Sequence, residues 1–324
     1  MPHAIRIHQP GGPEAMVYDE VAVGAPGAGQ ARVRHTAIGV NYIDTYHRSG
    51  LYPLPLPAIP GSEGAGVVEE IGAGVSEVKP GDRVAYCGGP TGAYSTERVM
   101  PADRLVKVPD GIDDVTAATL MLKGLTTQYL FRQTYPLKAG ETILFHAAAG
   151  GVGLIACQWA RALGVTMIGT VGSDEKAALA KANGCTHTIV YTREDFVART
   201  KELTGGKGVP VVYDGVGKDT FPASLDCLAP RGLFVSYGNA SGPVPPFSIM
   251  LLAQKGSLYA TRPTLATFTT DRASTTRMAD ELFALVLAGK IKSEARQRFA
   301  LKDAASAHRA LESRATTGAT VLMP

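Results

Sequence analysis

At 324 residues the chain is long for one domain and comfortable for two, and 45% hydrophobic residues are enough to bury a sizeable core in each. The net charge of +3 gives no electrostatic case for a nucleic-acid partner or a membrane surface, and no apolar run reaches the ~18 residues that a membrane-spanning helix needs. The four cysteines, Cys87, Cys157, Cys185 and Cys227, are scattered without a CxxC pair, and the N-terminal MPHAIRIHQPGGPE has no signal-peptide core, so the expected setting is the reducing cytoplasm.

Up to about residue 125, short β-like runs lie between Gly and Pro turns: ARVRHTAIGV, AGVVEEIG, GDRVAYCG and RLVKVP. They predict a mostly antiparallel β domain. Beyond it, apolar strands alternate with helical patterns. TILFHA is followed by the amphipathic VGLIACQWARALG, closed by Gly164, and VTMIGTV by DEKAALAKANG, closed by Gly184. HTIVY, VPVVYD, GLFVSYG and SLYAT continue the series, with EDFVARTKELTGG and KDTFPASLDCLAP as the helices between them. This alternation predicts a doubly wound parallel sheet, hence an α/β chain of two domains. Past Pro263 come the helix TRMADELFALVLAG, short strands and KDAASAHRALES, a tail expected to return to the first domain. The boundaries read as 1–124 with 263–324 for the β-rich domain and 125–262 for the parallel-sheet domain.

The strand-to-helix turn AAGGVG, Ala148 to Gly153, fits G-x-G-x-x-G with Ala148 in the first glycine place. Gly150 would let the backbone approach a pyrophosphate, and Gly153 would let the helix pack on its strand. The helix N-terminus offers N–H groups and a positive dipole end to phosphates.

With this turn placed after a β-rich domain, the stretches GVNYIDTYHRSGLYP, PGSEGAGVVEEIGAGVSEVKPGDRV, LKGLTTQYL, FHAAAGGVGLIACQWA, VYDGVGKDTF and ESRATTGATV resemble the medium-chain dehydrogenase/reductase superfamily. Within it they are similar to the zinc-free quinone oxidoreductase, or zeta-crystallin-like, branch. The resemblance implies a GroES-like catalytic domain, a Rossmann nucleotide-binding domain and an active site in the cleft between them. Zinc-dependent relatives carry a catalytic Cys where this chain has Asn41, and a His in a GHE triplet where it has Ser62 in GSE. Amide and hydroxyl suit zinc poorly, the region 86–110 has only Cys87 for a structural zinc lobe, and the seven histidines show no metal-binding spacing, so no metal is expected. Each histidine reads as a surface or packing residue.

Without a metal to stabilise an alkoxide, an electron-poor acceptor such as a quinone or an activated alkene is favoured over a simple aldehyde. Asn41, Tyr46 and Tyr52 are the substrate-pocket candidates. The resemblance favours the first two and leaves Tyr52 between packing and function. Asp44 and Glu63 are expected to orient the loop by hydrogen bonds, and no general acid is assigned.

The resemblance also implies the cofactor contacts. The loop Asn41, Tyr42, Ile43, Asp44, Thr45 and Tyr46 would touch the nicotinamide side, and Lys123, Thr126 and Tyr129 its ribose and phosphates. Gly150, Gly151 and Val152 would meet the pyrophosphate. Val216 and the stretch Gly238, Asn239, Ala240 and Ser241 would flank both halves, with Pro263, Thr264, Leu265 and Arg314 completing the site. Without the resemblance Lys123, Lys176 and Arg314 read as solvated surface charges. An NAD site usually ends its second strand with an acid that binds the ribose 2′-OH. Here that place holds Gly172, leaving room for a 2′-phosphate served by Ser173, Lys176 and Tyr191, so NADPH is the expected cofactor. Asp174 and Glu175 are expected to point away as first-turn helix acids, with Ser173 or Asp174 as N-cap.

The leading expectation is an NADPH-dependent quinone oxidoreductase. The alternatives are reduction of α,β-unsaturated carbonyls and, less in keeping with the modest charge, an RNA-binding or structural crystallin-like role. A homodimer through the last Rossmann strand, around Ser257 to Thr261, is implied by the resemblance.

Overall fold

A computed structural model describes every residue of the chain except Ala315. The described residues form two compact units: Met1–Leu125 with Phe268–Gly289 and Ser293–Pro324, and Thr126–Thr267 with Lys290–Lys292.

The first unit is built on a seven-stranded sheet. Its order is Ala295–Ala300, Ala319–Met323, Gln30–Val40, Glu63–Ile71, Arg83–Cys87 and Val106–Lys107, with Glu97–Pro101 also pairing to Gln30–Val40. Along Gln30–Val40 the alternation is visible in the residues themselves. Ala31, Val33, His35 and Ala37 are buried, while Arg32 and Arg34 turn outward to Glu70 and Glu69 at 2.9 and 2.8 Å. The inward faces of these strands, with the hairpin His3–Ile7/Met16–Glu20, close a core around Ile5, Val33, Ile38, Val68, Val84, Tyr86 and Leu322. One pair departs from the expected antiparallel pattern: Ala295–Ala300 runs parallel to Ala319–Met323. The helix Ala304–Glu312 lies between them in the chain, and such a crossover is what a parallel connection requires.

The second unit holds six parallel strands in the order His187–Val190, Thr166–Val171, Thr142–Phe145, Val209–Asp214, Leu228–Ser236 and Tyr259–Thr261. This is the doubly wound Rossmann order, reversing direction on either side of Thr142–Phe145. Leu144, Ile168, Ile189, Val212 and Phe234 pack in its core. Helices Gly151–Ala162, Asp174–Ala182 and Phe196–Leu203 follow the first three strands.

Three elements differ from the pattern read in the sequence. KDTFPASLDCLAP yields only the one-turn helix Ala223–Asp226, because the next strand already starts at Leu228. That strand begins earlier than GLFVSYG, and a register shift between Val209 and Val211 absorbs the extra residues. A long helix, Asp114–Tyr129, continues as the π-type segment Leu130–Thr134. Ala117 to Met121 and Lys123 to Phe131 are all buried, so the helix has no polar stripe to give it a visible period.

Phe145, at the end of the strand before the glycine turn, packs against Phe131, Tyr213 and Tyr237 with ring centroids 6.2, 5.7 and 5.8 Å away. Phe145→Ala is expected to cost roughly 3–5 kcal/mol of stability, read as a lower urea midpoint.

Candidate functional site

In the first unit the strand Gln30–Val40 ends at Asn41, whose extended backbone (φ −136°, ψ 155°) starts the helix Tyr42–Ser49. The Asn41 N–H donates to Asp44 Oδ2 at 2.9 Å, so the carboxylate three residues on closes the first turn. Gly50, at φ 82°, ends the helix. The Asn41 amide donates from Nδ2 to Glu63 Oε2 at 2.8 Å. The same Glu63 oxygen accepts from Lys123 Nζ at 3.0 Å, and its other oxygen accepts the Leu122 N–H at 2.7 Å. Glu63 is fully buried and Lys123 nearly so. Lys123 is therefore a buried ion-pair member, not the surface charge it resembles in isolation.

Asp44 is the second fully buried carboxylate. Ser62 Oγ donates to its Oδ1 at 3.0 Å, and Tyr94 OH donates to its Oδ2 at 3.1 Å. Beyond Tyr94 the chain of bonds continues through His308 Nε2 at 2.9 Å and from His308 Nδ1 to Arg48 Nη1 at 3.1 Å. Arg48 also reaches Glu312 at 2.6 Å. A guanidinium only donates, so Nδ1 of His308 accepts and Nε2 carries the proton toward Tyr94. Burial lifts Asp44 to about 7, against the lowering effect of its donors from Asn41, Ser62 and Tyr94 and of the Lys123 charge. Burial, with Arg48 adding to it, pushes His308 down to about 3.

The other first-unit candidates lie around this cluster. Tyr46 is buried, with the half-buried Tyr52 edge-on at 5.2 Å and Tyr42 at 6.3 Å. Tyr42 OH donates to Leu311 O at 2.9 Å and Thr45 Oγ1 to Tyr42 O at 2.7 Å. Ile43 is half-buried. Arg314 is exposed in the left-handed region at φ 59°. Among the described residues no three His, Cys, Asp or Glu side chains gather as a metal would need.

In the second unit the turn after Thr142–Phe145 carries Ala147 at φ 57° and leads through Gly150 into the helix Gly151–Ala162, which no side chain caps. Its first amides therefore face outward unsatisfied by the chain's own side chains. A Cβ on Gly153 would fall 2.4 Å from Ala147 O and 2.6 Å from Ala148 C, so only glycine lets the helix pack there. Gly151 and Val152 are half-buried, Thr126 and Tyr129 buried. At the ends of the next strands, Asp214 Oδ1 accepts the N–H groups of Val216 and Gly217 at 2.7 and 3.0 Å. Ser241 bonds to Val216 O through both its N–H (2.8 Å) and its hydroxyl (2.9 Å), which ties Gly238 to Ser241 beside Val216. Pro263 is buried, Thr264 exposed and Leu265 half-buried at the start of a short helix.

Past the second strand, a Cβ on Gly172 would lie 2.9 Å from the Tyr191 hydroxyl, so the exposed Tyr191 ring reaches over this glycine. Ser173 is the N-cap of the helix Asp174–Ala182 and its Oγ accepts the Lys176 N–H at 3.3 Å. Asp174 is exposed and held by both Arg193 guanidinium nitrogens at 2.6 and 2.5 Å. Arg193 thus neutralises the acid nearest to Gly172. The sequence reading did not name it, and it also passed over Tyr94 and His308 as site-forming residues. No local signal marks them, since they reach Asp44 and Tyr94 across 50 and 214 residues.

Residues 27–110 match the Alcohol dehydrogenase GroES-like domain family and residues 151–278 the Zinc-binding dehydrogenase family. A quinone oxidoreductase of Pseudomonas aeruginosa is 60% identical, with 97% of each chain covered. The chain belongs to the quinone oxidoreductase branch of the medium-chain dehydrogenase/reductase superfamily. The crystal structure of the Escherichia coli quinone oxidoreductase complexed with NADPH matches 99% of this chain and 100% of its own, at a TM-score of 0.98 and 50% identity. A 2-haloacrylate reductase of a Burkholderia species is likewise 50% identical over 98% of both chains.

The buried pair Glu63–Lys123 makes a sharp stability prediction for this family member. Lys123→Ala is expected to cost about 3–5 kcal/mol, because it leaves Glu63 buried without its cation. The double change Glu63→Gln/Lys123→Met should recover most of that loss in chemical denaturation.

Proposed function

We propose that the chain is an NADPH-dependent quinone oxidoreductase that transfers reducing equivalents without a metal. The observation that carries this reading is the Asn41–Ser62 pair. Where zinc relatives keep a thiolate and an imidazole, this chain has an amide and a hydroxyl bonded to the buried carboxylates Glu63 and Asp44. Such a set fits the oxygen of a delocalised acceptor better than it fits zinc. Asn41 uses one amide hydrogen on Glu63 and keeps the second for that oxygen.

The second unit's residues fit the cofactor. The uncapped helix start at Gly151 and Val152 suits the pyrophosphate, with Gly150 leaving the backbone open to it. Gly172, Ser173, Lys176 and Tyr191 suit a ribose 2′-phosphate, and Arg193 removes the repulsion that Asp174 would exert on it. Bound there, NADPH supplies the hydride. The loop Asn41 to Tyr46, with Lys123, Thr126 and Tyr129, is assigned to the nicotinamide side. Val216, Gly238 to Ser241, Pro263 to Leu265 and Arg314 are assigned to the remaining contacts. The 2-haloacrylate reductase relative favours a second reading, hydride delivery to an α,β-unsaturated carbonyl.

The strand Tyr259–Thr261 is a sheet edge with Tyr259 57% exposed, and Ile249 and Met250 near it in the chain are 81% and 59% exposed. We assign this edge to a homodimer, since an open apolar edge invites pairing. The expected location is the cytoplasm. No described helix is long and apolar enough to cross a membrane, and the four buried free cysteines suit a reducing compartment.

In a steady-state screen, NADPH oxidation is expected with quinones or activated alkenes and not with simple aldehydes, and to survive strong chelators. Activity lost to a chelator and restored by Zn²⁺ overturns the metal-free reading. Lys176→Ala should weaken NADPH binding about ten- to hundredfold and leave NADH binding nearly unchanged. Sedimentation should give a dimer, and Tyr259→Lys a monomer; a monomeric wild type rejects the edge assignment.

A further inference from the structure

The bonds around Asp44 have a direction. Arg48 can only donate, so His308 accepts at Nδ1 and donates from Nε2 to the Tyr94 oxygen. The Tyr94 hydrogen is thereby aimed at Asp44 Oδ2, where the Asn41 N–H also points. Of the three groups bonded to Asp44, the Asn41 amide nitrogen can never accept a proton, and Tyr94 already accepts one hydrogen bond. Ser62, bonded to the other oxygen, Oδ1, is the one whose hydroxyl can turn round. It can accept from a protonated Asp44 and present its own hydrogen on the opposite side. Neighbouring Glu63, also fully buried, is tied up by Asn41, Lys123 and the Leu122 N–H and has no comparable exit.

We propose that Asp44 holds the proton that completes acceptor reduction and releases it only through Ser62, which places it on the reduced acceptor's oxygen. The inference rests on the reaction and the site assigned above. In the step, hydride from NADPH turns a quinone into its hydroquinone anion. The Ser62 O–H bond breaks as a hydroquinone O–H bond forms, and the Asp44 O–H bond breaks as Ser62 regains its hydrogen. Asp44 is left as a carboxylate, which is reprotonated from solvent back through the Ser62 hydroxyl before the next turnover. Ser62 touches the acceptor; Asp44, acting through it, is a positioning residue that also stores the proton.

Burial places Asp44 near 7, so that the carboxyl is largely loaded just below neutrality. The charged and titratable groups facing it are Lys123 and Glu63, Tyr86 and Tyr94, and Arg48 with His308. His308, held near 3, stays neutral through the range in question, and the tyrosines, raised by burial, do not ionise within it. A transition near 7 therefore belongs to Asp44. Because the loaded form is the protonated one, the rate is high below that point and falls as pH rises through it.

The test combines pH–rate profiles with infrared titration of the buried carboxyl. In the wild type, the protonated-carboxyl band and the quinone-reduction rate should fall together as pH rises through about 7. Ser62→Ala should keep the band, moved to higher pH by the lost donor, lose about a hundredfold in rate and lose the limb; Ser62→Thr, which keeps the hydroxyl, should restore rate and limb. Asp44→Asn should lose band and limb. Tyr94→Phe removes a donor to the carboxylate, so band and limb should move together to higher pH. Should Asp44→Asn fail to fold, the serine and tyrosine variants still decide. An active wild type whose rate ignores the carboxyl titration, or a Ser62→Ala enzyme that keeps the limb, overturns the proposal. A wild type that oxidises NADPH with no quinone or enal overturns the assigned reaction instead, and the two failures are distinguishable by that control.

Discussion

Two carboxylates, Asp44 and Glu63, are buried without any exposed atom area, and Asn41 joins them through its backbone N–H on one side and its amide on the other. An isolated buried carboxylate is too costly to keep ionised, so each must find donors or take up a proton. The two solve this differently. Glu63 is given a full cation, Lys123, and two N–H donors. Asp44 receives three neutral donors and only a more distant charge, and is lifted to about 7. The first unit's long-range contacts follow from these needs. Lys123 comes from the helix Asp114–Tyr129, Ser62 from just before a sheet strand, and Tyr94 from a loop that His308 of the C-terminal helix supports.

That dependence explains what could be read in the sequence. The six strands of the second unit were legible because each is a short apolar run with a turn after it, and a parallel order follows once helices alternate with them. The glycine turn was legible because a helix packing directly on a strand leaves no space for a Cβ at Gly153. In the first unit the strands showed their alternation, yet the helix Asp114–Tyr129 did not show itself, since a helix buried on every side has no polar face to mark its period. The parallel pairing of Ala295–Ala300 with Ala319–Met323 was hidden in the same way, because the two strands meet only after the chain has crossed through Ala304–Glu312.

Asn41 and Ser62 drew notice through the resemblance alone: they stand where zinc-dependent relatives carry Cys and His, and amide and hydroxyl are poor zinc donors. Partners brought in over long sequence separations were not legible. His308 looks like any packing histidine, and Tyr94 like any core tyrosine, until the fold sets the two 2.9 Å apart. Lys123 shows the converse error that local reasoning invites: a lone lysine in LKGLTTQY resembles a solvated charge, while its carboxylate partner lies 60 residues earlier.

The second unit meets a related electrostatic demand with opposite means. Asp174, an acid two residues past Gly172, would repel any anion placed over that glycine. Its carboxylate instead carries a bidentate pair with Arg193, fixed in direction by the fork of the guanidinium. Arg193 follows the third strand, two residues after Tyr191, so a single short loop supplies both the ring above Gly172 and the cation that cancels Asp174. The pair is exposed and adds little stability. Its consequence lies in the local field: with Asp174 paired, Glu175 of the same first turn stays outside that pair, beside the positive N-terminus of the helix Asp174–Ala182 and the Lys176 charge. A lone acid here would set a negative charge beside the glycine. Paired with Arg193, it leaves Gly172 beside a neutralised carboxylate and under the Tyr191 ring.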